Sequence, residues 1–99
     1  MVRAHDLTMR HAAAWVFNER VPDDVEGYHE LIAEPMDLGT IKKRLKRGEY
    51  ATLREYFRDV ALVWRNCYTF NEEGSEIWEL ARECEAAHRR LCAEAGLTA

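Results

Sequence analysis

The 99-residue sequence has few residues that break regular structure or cross-link a chain. Two prolines and five glycines exclude collagen-like and low-complexity sequences. Three cysteines, with no Cys-x-x-Cys spacing, argue against a disulfide framework or zinc site and favour a reducing intracellular compartment. The longest apolar run, residues 12–17, is far shorter than the roughly 20 residues of a membrane span. No apolar stretch follows a basic start, so no signal peptide is predicted.

The composition is that of one globular domain, which we expect to span residues 1–99. The chain is 47% hydrophobic and 32% charged, and its length suffices for a core without metal or disulfide support. The formal charge of −4 is unevenly distributed. Residues 19–37 hold seven acids and one base, and residues 72–76 hold three acids and no base. The remainder is net basic, so two acidic segments lie on a basic scaffold.

Helical signals dominate, and no strand is predicted. The four predicted helices span residues 6–18, 37–48, 52–71 and 75–95. Asp6, Asp37 and Ser75 are the expected N-caps, and Thr52 with Glu55 forms a capping box. In the third helix the apolar residues recur at helical spacing on one face. These residues are Leu53, Phe57, Val60, Trp64 and Cys67.

The connection over residues 19–36 is long and contains both prolines, Pro22 and Pro35. We expect at most one helical turn inside it, at Tyr28–Ile32. Long irregular segments are uncommon in compact domains unless they carry function. A binding site is therefore predicted here.

Catalysis is disfavoured by the placement of the reactive side chains. Cys67 lies on an apolar helix face with no histidine near it in sequence, and buried thiols are inert. We also expect no di-metal site of the helical-bundle kind, and His88 is expected at the core edge. The chain is predicted to be non-enzymatic and to use no cofactor or metal.

The basic run Lys42–Arg47 has two interpretations. It is similar to a nuclear localisation or nucleic-acid-binding segment. It also fits the solvated face of an amphipathic helix that buries Ile41 and Leu45. We favour the second interpretation and keep nucleic-acid contact as a secondary possibility.

Three motifs occur in a fixed order along the chain. They are Tyr28-His29-Glu30-Leu31-Ile32 with Pro35-Met36-Asp37-Leu38-Gly39-Thr40-Ile41, then Arg44-Leu45 with Gly48-Glu49-Tyr50, then Asn66-Cys67-Tyr68-Thr69-Phe70-Asn71 with Ile77. Each motif alone is an ordinary cap, core helix or helix end. Together, over residues 15–91, they resemble the bromodomain, the acetyl-lysine reader family.

The resemblance implies an all-α, left-handed antiparallel four-helix bundle, with helices Z, A, B and C and a long Z–A loop. Its pocket would lie between the Z–A and B–C loops. Asn71 matches the residue that binds the acetyl carbonyl, and Tyr28 matches the tyrosine that contacts this oxygen through a water. Val21 and Phe17 match apolar wall and floor residues, and Ile77 matches the gatekeeper.

The resemblance also implies a shelf and a rim around the pocket. Trp15 and Val16 align with the shelf, and Phe70 lies at the pocket rim. Tyr68, Glu72 and Glu73 are further expected rim residues. Val16 replaces the usual proline, Phe70 replaces a frequent tyrosine, and His29 stands where a second aromatic residue is common. The Z–A loop looks short, but none of these differences removes an expected pocket residue.

The expected function is non-catalytic recognition of acetylated lysine in histone tails or other chromatin-associated proteins. The domain is expected to be nuclear, free of membrane contact and monomeric in isolation. The acidic segments would steer basic acetylated peptides toward the pocket. The alternative is a degenerate bromodomain that binds proteins without reading acetylation.

Overall fold

The computed structural model describes residues 2–11 and 14–97, and this part of the chain is entirely helical and irregular, with no strand. The elements are α1 (Val2–Met9), a 3₁₀ turn (Trp15–Phe17), α2 (Tyr28–Leu31), α3 (Leu38–Lys46), α4 (Leu53–Phe70) and α5 (Glu76–Glu94). The expected all-α helical bundle is confirmed. Within the same residues, no helix combines the length and apolarity that crossing a bilayer requires.

The four longer helices surround one core. Helix α1 packs against α3 and α5, and α4 packs against the same two helices. The short helix α2 lies against α4. The core that they enclose is built from side chains of every long helix except α1, together with the segment before α2. Its buried members are Ala14, Phe17, Leu38, Ile41, Tyr56, Val60, Val63, Trp64, Cys67, Ala81 and Cys84.

Local capping signals located the starts of α3 and α4 correctly. The Asp37 carboxylate accepts hydrogen bonds from the Thr40 backbone N–H and hydroxyl, both at 2.8 Å. The Thr52 hydroxyl accepts from the Glu55 N–H at 3.2 Å, and the Glu55 carboxylate accepts from the Thr52 N–H at 3.0 Å. These bonds satisfy amide groups that have no partner inside the helix. The predicted caps of α3 and α4 are confirmed.

The predicted first helix, from Asp6 to Asn18, is wrong at both ends. Helix α1 begins at Val2 and ends at Met9, and Ala12 and Ala13, on which the prediction partly relied, lie outside the described residues. The Asn18 side-chain amide donates to the Met9 carbonyl at 2.9 Å, which satisfies that carbonyl at the end of the helix. The Asp6 carboxylate lies 3.0 Å from Lys42 Nζ instead of capping a helix.

Ser75 occupies the N-cap position of α5 as predicted, but its hydroxyl makes no capping hydrogen bond. The first turn of α5 instead contains Glu76 and Glu79. Negative side chains in the first turn interact favourably with the positive end of the helix dipole. The start of this helix is therefore supported by charge rather than by a serine cap.

A polar cluster joins α3 to α4. The Arg44 guanidinium and the Tyr50 hydroxyl both donate to Oδ2 of Asp59, at 2.7 and 2.6 Å. Asp59 is buried, and burial and this carboxylate raise the pKa of Tyr50. The phenol therefore remains protonated and acts as a donor at neutral pH.

Replacing Tyr50 by phenylalanine is expected to lower the free energy of unfolding by about 1.5 kcal/mol, because the Asp59 carboxylate loses a donor in a partly buried setting. Urea unfolding measures the change. Tyr68→Phe is the matched control, since the Tyr68 hydroxyl donates to Glu85 at 2.6 Å. Water can replace that donor more easily, because the Glu85 side chain is 34% exposed and that of Asp59 is 11% exposed. Equal losses in the two variants would contradict this explanation.

Candidate functional site

A cavity of about 210 Å³ lies where α4 ends and α5 begins, against the segment that connects the 3₁₀ turn to α3. Most of its lining is aliphatic or aromatic. The lining residues are Val16, Phe17, Glu19, Val21, Val25, Tyr28, Met36, Val63, Cys67, Phe70, Asn71 and Ile77. A concave, largely apolar cavity with a few polar groups is the usual form of a small-ligand site.

Asn71 is the amide in the wall of this cavity. It is the C-cap residue of α4, and its backbone N–H donates to the Cys67 carbonyl at 3.0 Å. Its side-chain Nδ2 donates to the same carbonyl at 3.0 Å and lies 3.6 Å from the Cys67 thiol sulfur. Sulfur is a weak acceptor. A ligand oxygen that enters the cavity can therefore replace the sulfur as partner of the second amide hydrogen.

Tyr28 begins α2, and the contact of α2 with α4 holds it at the cavity. Its side chain is buried, and its ring meets the Phe70 ring edge-on with a centroid separation of 5.0 Å. Burial raises the pKa of the Tyr28 phenol. The hydroxyl is therefore protonated at neutral pH and can donate or accept a hydrogen bond.

The apolar wall is held by the core beneath it. Phe17 is buried, and its ring packs edge-on against Trp64 at 5.6 Å between centroids. The side-chain amide of Asn66 donates to the Glu34 carbonyl at 3.0 Å. This bond ties α4 to the chain just before Met36, which lines the cavity. Both sides of the cavity are thus anchored to α4.

Cys67 contributes a thiol to the cavity floor. Its Sγ donates to the Ile77 carbonyl at 3.5 Å, which links α4 to the start of α5. Burial raises the pKa of Cys67, partly offset by the hydrogen bond from Asn71. A protonated thiol in this setting serves packing and hydrogen bonding rather than nucleophilic attack.

One cysteine and one histidine, four residues apart on α5, are in contact. Cys92 Sγ lies 3.4 Å from His88 Nε2, one helical turn away on α5. Burial raises the pKa of Cys92 and lowers the pKa of His88 to about 4. A catalytic thiolate–imidazolium pair requires the opposite shifts. Within the described residues, no group of three His, Cys, Asp or Glu side chains is placed to hold a metal ion.

The sequence-predicted residues divide into three groups. The cavity lining includes Phe17, Val16, Val21, Tyr28, Phe70, Asn71 and Ile77. An adjoining open hollow, which shares Val16, Phe70, Asn71 and Ile77 with the cavity, is also lined by Trp15 and Glu72. Tyr68 and Glu73 line neither space. The Tyr68 ring packs on Trp78, and its hydroxyl bonds to Glu85, so it serves the contact between α4 and α5.

Sequence reasoning missed several lining residues. These are Glu19, Val25, Met36, Val63 and Cys67. Val25 and Met36 lie in the predicted loop, where no periodicity assigns a side chain to one face. Val63 could have been found, because it lies one turn from residues of the predicted apolar stripe.

The acidic residues of the segments 19–37 and 72–76 do not all lie at the cavity. Asp37 is buried as a helix cap, and Asp23 pairs with Arg20 and lies 3.3 Å from His29. Glu34 lies 3.9 Å from Arg58. The acids that line the cavity or the adjoining hollow are Glu19, Glu72 and Glu76. The local negative charge is therefore smaller than the sequence suggests.

A family model described as Bromodomain matches residues 1–83. The chain belongs to the bromodomain family. It is 43% identical over 77 residues to Transcription factor GTE1 of Arabidopsis thaliana, covering 73% of this chain and 19% of that protein. It is 48% identical over 68 residues to human Bromodomain adjacent to zinc finger domain protein 2A, covering 68% of this chain and 4% of that protein.

A histone acetyltransferase GCN5 from Yarrowia lipolytica is 41% identical over 76 residues, covering 76% of this chain and 16% of that protein. The chain thus spans less than a fifth of these curated relatives. The solved bromodomain of human BAZ1A superposes with a TM-score of 0.93, covering 98% of this chain and 92% of that one at 22% identity. This bromodomain is therefore a module of the kind found in transcription and chromatin factors.

Proposed function

We propose that this bromodomain binds acetylated lysine in histone tails or other chromatin-associated proteins. The observation that carries the proposal is the position of the Asn71 amide, which is fixed at the end of α4 in the wall of an otherwise largely apolar cavity. Acetylation gives lysine a carbonyl acceptor and a methyl group and removes its charge. Asn71 would donate to the carbonyl, and the apolar walls would surround the methyl group.

Discrimination against unmodified lysine follows from desolvation. An ammonium group that entered the cavity would exchange water for apolar walls, and burying an unpaired charge costs several kcal/mol. Glu19 is the acid that lines the cavity, and its side chain is exposed. Its carboxylate is therefore hydrated and screened, and it offers a buried ammonium little compensation. Tyr28 would act through a water molecule, as in the family that the chain resembles.

The proposed partner is a basic acetylated peptide. Glu72 and Glu76 line the hollow next to the cavity, where they would attract positively charged residues that flank the acetyl-lysine. This attraction would weaken with salt. The proposed setting is the nucleus, with the isolated domain a monomer and without membrane contact.

Nucleic-acid contact remains secondary in this proposal. In the basic run, Lys42 pairs with Asp6 and Arg44 pairs with Asp59, at 3.0 and 2.7 Å. These two bases link α3 to α1 and to α4. Lys43, Lys46 and Arg47 are exposed and fit the solvated-face interpretation of the sequence.

The test is calorimetric titration of the domain with a histone-tail peptide, acetylated or unmodified at one lysine. The acetylated form is expected to bind at micromolar or weaker affinity and at least about tenfold more tightly than the unmodified form. Asn71→Ala should weaken binding of the acetylated peptide about 5- to 150-fold. The lost hydrogen bond leaves a buried carbonyl unsatisfied, which costs about 1–3 kcal/mol.

Thr69→Ala is the matched control, because Thr69 is exposed on the last turn of the same helix. Its affinity should equal that of the unmodified domain. Equal binding of the two peptides would favour the alternative of a protein-interaction module without acetyl-lysine reading. Unchanged binding by Asn71→Ala would remove the role proposed for this residue.

A further inference from the structure

A buried hydrogen-bonded chain, formed by His5, Tyr56 and His88, connects the four long helices. His5 Nδ1 lies 2.9 Å from the Tyr56 hydroxyl, which lies 2.8 Å from His88 Nε2. His5 Nε2 also lies 2.8 Å from the Leu38 carbonyl. The members come from α1, α4, α5 and α3, and each of the three side chains is at most 4% exposed. We call this set the histidine–tyrosine chain.

The hydrogen positions in this chain follow from its one obligatory acceptor. The Leu38 carbonyl can only accept, so His5 Nε2 carries a proton, and the Nδ1 of neutral His5 is an acceptor. The Tyr56 hydroxyl has one hydrogen and donates it to that nitrogen. Its oxygen then accepts from His88, whose Nε2 must be protonated. With both histidines neutral, as burial favours, each therefore carries its proton on Nε2.

A second added proton breaks this arrangement. If His5 gains a proton on Nδ1, the Tyr56 hydroxyl can turn and donate to His88, provided that His88 moves its proton to Nδ1. If His88 is also charged, one N–H group of each histidine points at the Tyr56 oxygen. The Tyr56 O–H then has no acceptor within the histidine–tyrosine chain. Two positive rings would then lie with centroids 6.5 Å apart in the core.

The groups around His5 offer little compensation for such a charge. Its nearest acid, Asp6, is engaged with Lys42, with 3.0 Å between the charged atoms. Burial lowers the pKa of His5, opposed by the Leu38 carbonyl and by Asp6. No carboxylate is in hydrogen-bond contact with the His5 ring in the described part of the chain.

The surroundings of His88 are similarly unsuited to a cation. Its ring contacts Cys92 at 3.4 Å and the Phe57 ring at 6.1 Å between centroids. Glu85 and Arg89 lie near His88 on α5 but are engaged with one another, 3.3 Å apart. Burial, and then the neighbouring His5, lower the pKa of His88 to about 4.

A surface groove adjoins the histidine–tyrosine chain at His88. A groove of about 360 Å³ lies between α4 and α5, and His88 and Cys92 are among its lining residues. Protons can therefore be exchanged with the histidine–tyrosine chain without unfolding of the whole bundle.

We propose that the histidine–tyrosine chain is an acid-sensitive latch that holds α1 on the bundle at neutral pH and releases it on acidification. Helix α1 is the shortest of the four long helices and contributes no buried side chain to the main core cluster, which the other three helices share. Its end is bonded to Asn18, next to Phe17 in the cavity wall, so release would loosen one side of the ligand site. The proposal stands independently of what the cavity binds.

The pH dependence has a definite sign. In the released form the histidines are hydrated and bind protons near their ordinary pKa of about 6.5, whereas in the closed form burial lowers the pKa of each histidine. Above that pH both forms are neutral and the latch is fully stable. As the pH falls below about 6.5, the population of the closed form relative to the released form decreases. The decrease is up to about tenfold per pH unit for each histidine that stays neutral in the closed form.

Two measurements on the unmodified domain test the proposal. Nitrogen NMR of the imidazoles should show His5 and His88 neutral, with the proton on Nε2, at pH 7.5, where α1 is held on the bundle. Amide hydrogen exchange, corrected for the intrinsic effect of pH, should accelerate in α1 before α4 as the pH is lowered from 7.5 to 5. A proton on Nδ1 of His5 or His88 at pH 7.5, or equal acceleration in α1 and α4 as the pH is lowered, would overturn the latch.

Variants assign the effect to the two histidines. His5→Gln and His88→Gln should each flatten the loss of urea stability between pH 6.5 and 4.5. His29→Gln is the control, because the His29 side chain is 39% exposed outside this chain, and it should keep the pH dependence of the unmodified domain. An unchanged slope in both buried-histidine variants would contradict the proposal. If either variant fails to fold, the NMR measurement on the unmodified domain decides.

Discussion

Alanine at position 64 is expected to lower the free energy of unfolding by about 3–5 kcal/mol, the usual cost of removing a large aromatic side chain from a core. Trp64 is 3% exposed, packs edge-on against Phe17 and belongs to the main core cluster. The melting temperature should fall by at least about 12 °C. Urea and thermal unfolding followed by circular dichroism measure both quantities.

Trp15→Ala is the matched control, because Trp15 is 69% exposed. The same chemical change there should alter the free energy of unfolding by no more than about 0.5 kcal/mol. Trp64→Phe should give an intermediate loss, and it keeps the comparison measurable if Trp64→Ala does not fold. Similar losses at positions 15 and 64 would be incompatible with the described core.

Asparagine at position 39 is expected to destabilise the domain by about 2–3 kcal/mol. A Cβ on Gly39 would lie well inside van der Waals contact with the Asn18 carbonyl oxygen, and 3.2 Å from the capping carboxylate of Asp37. The Gly39 N–H donates to that same carbonyl at 3.1 Å, so the backbone cannot move apart without losing the bond. Urea unfolding measures the loss.

Gly48→Asn provides the same substitution without the collision. Gly48 has φ of +67°, and nothing would lie within 4 Å of an added Cβ. Asparagine tolerates this left-handed conformation better than most residues, so the loss should stay within about 1 kcal/mol. If position 48 proved as sensitive as position 39, close packing would not explain the requirement for glycine at 39.

Sequence reasoning succeeded where the determining interactions are local. The Asp37 cap and the Thr52–Glu55 capping box form between residues three apart, so the sequence contains both partners of each bond. The order of motifs from Tyr28 to Ile77 indicated the family, which the family model confirms. Most of the proposed pocket residues also line one cavity in the structure.

Sequence reasoning failed where a residue's interaction partner is distant in the sequence. Residues 2–5 form a helix because α1 packs on α3 and α5 and His5 bonds to Tyr56, 51 residues away. No local pattern contains that information. His88 was expected at the core edge and is instead only 4% exposed. Tyr68 was expected at the rim and instead joins Glu85 on α5, because which face an aromatic residue takes depends on the neighbouring helix.

The hydrogen bond from Asn66 to the Glu34 carbonyl has a thermodynamic consequence for any ligand of the cavity. It fastens an irregular segment to the buried face of α4, so that segment gives up its conformational freedom when the chain folds. A ligand then meets a wall that is already ordered, and the entropy lost on association is smaller than for a free loop. Without this bond, the segment next to Met36 would become ordered only when the ligand binds, and the entropy lost in ordering it would lower the affinity.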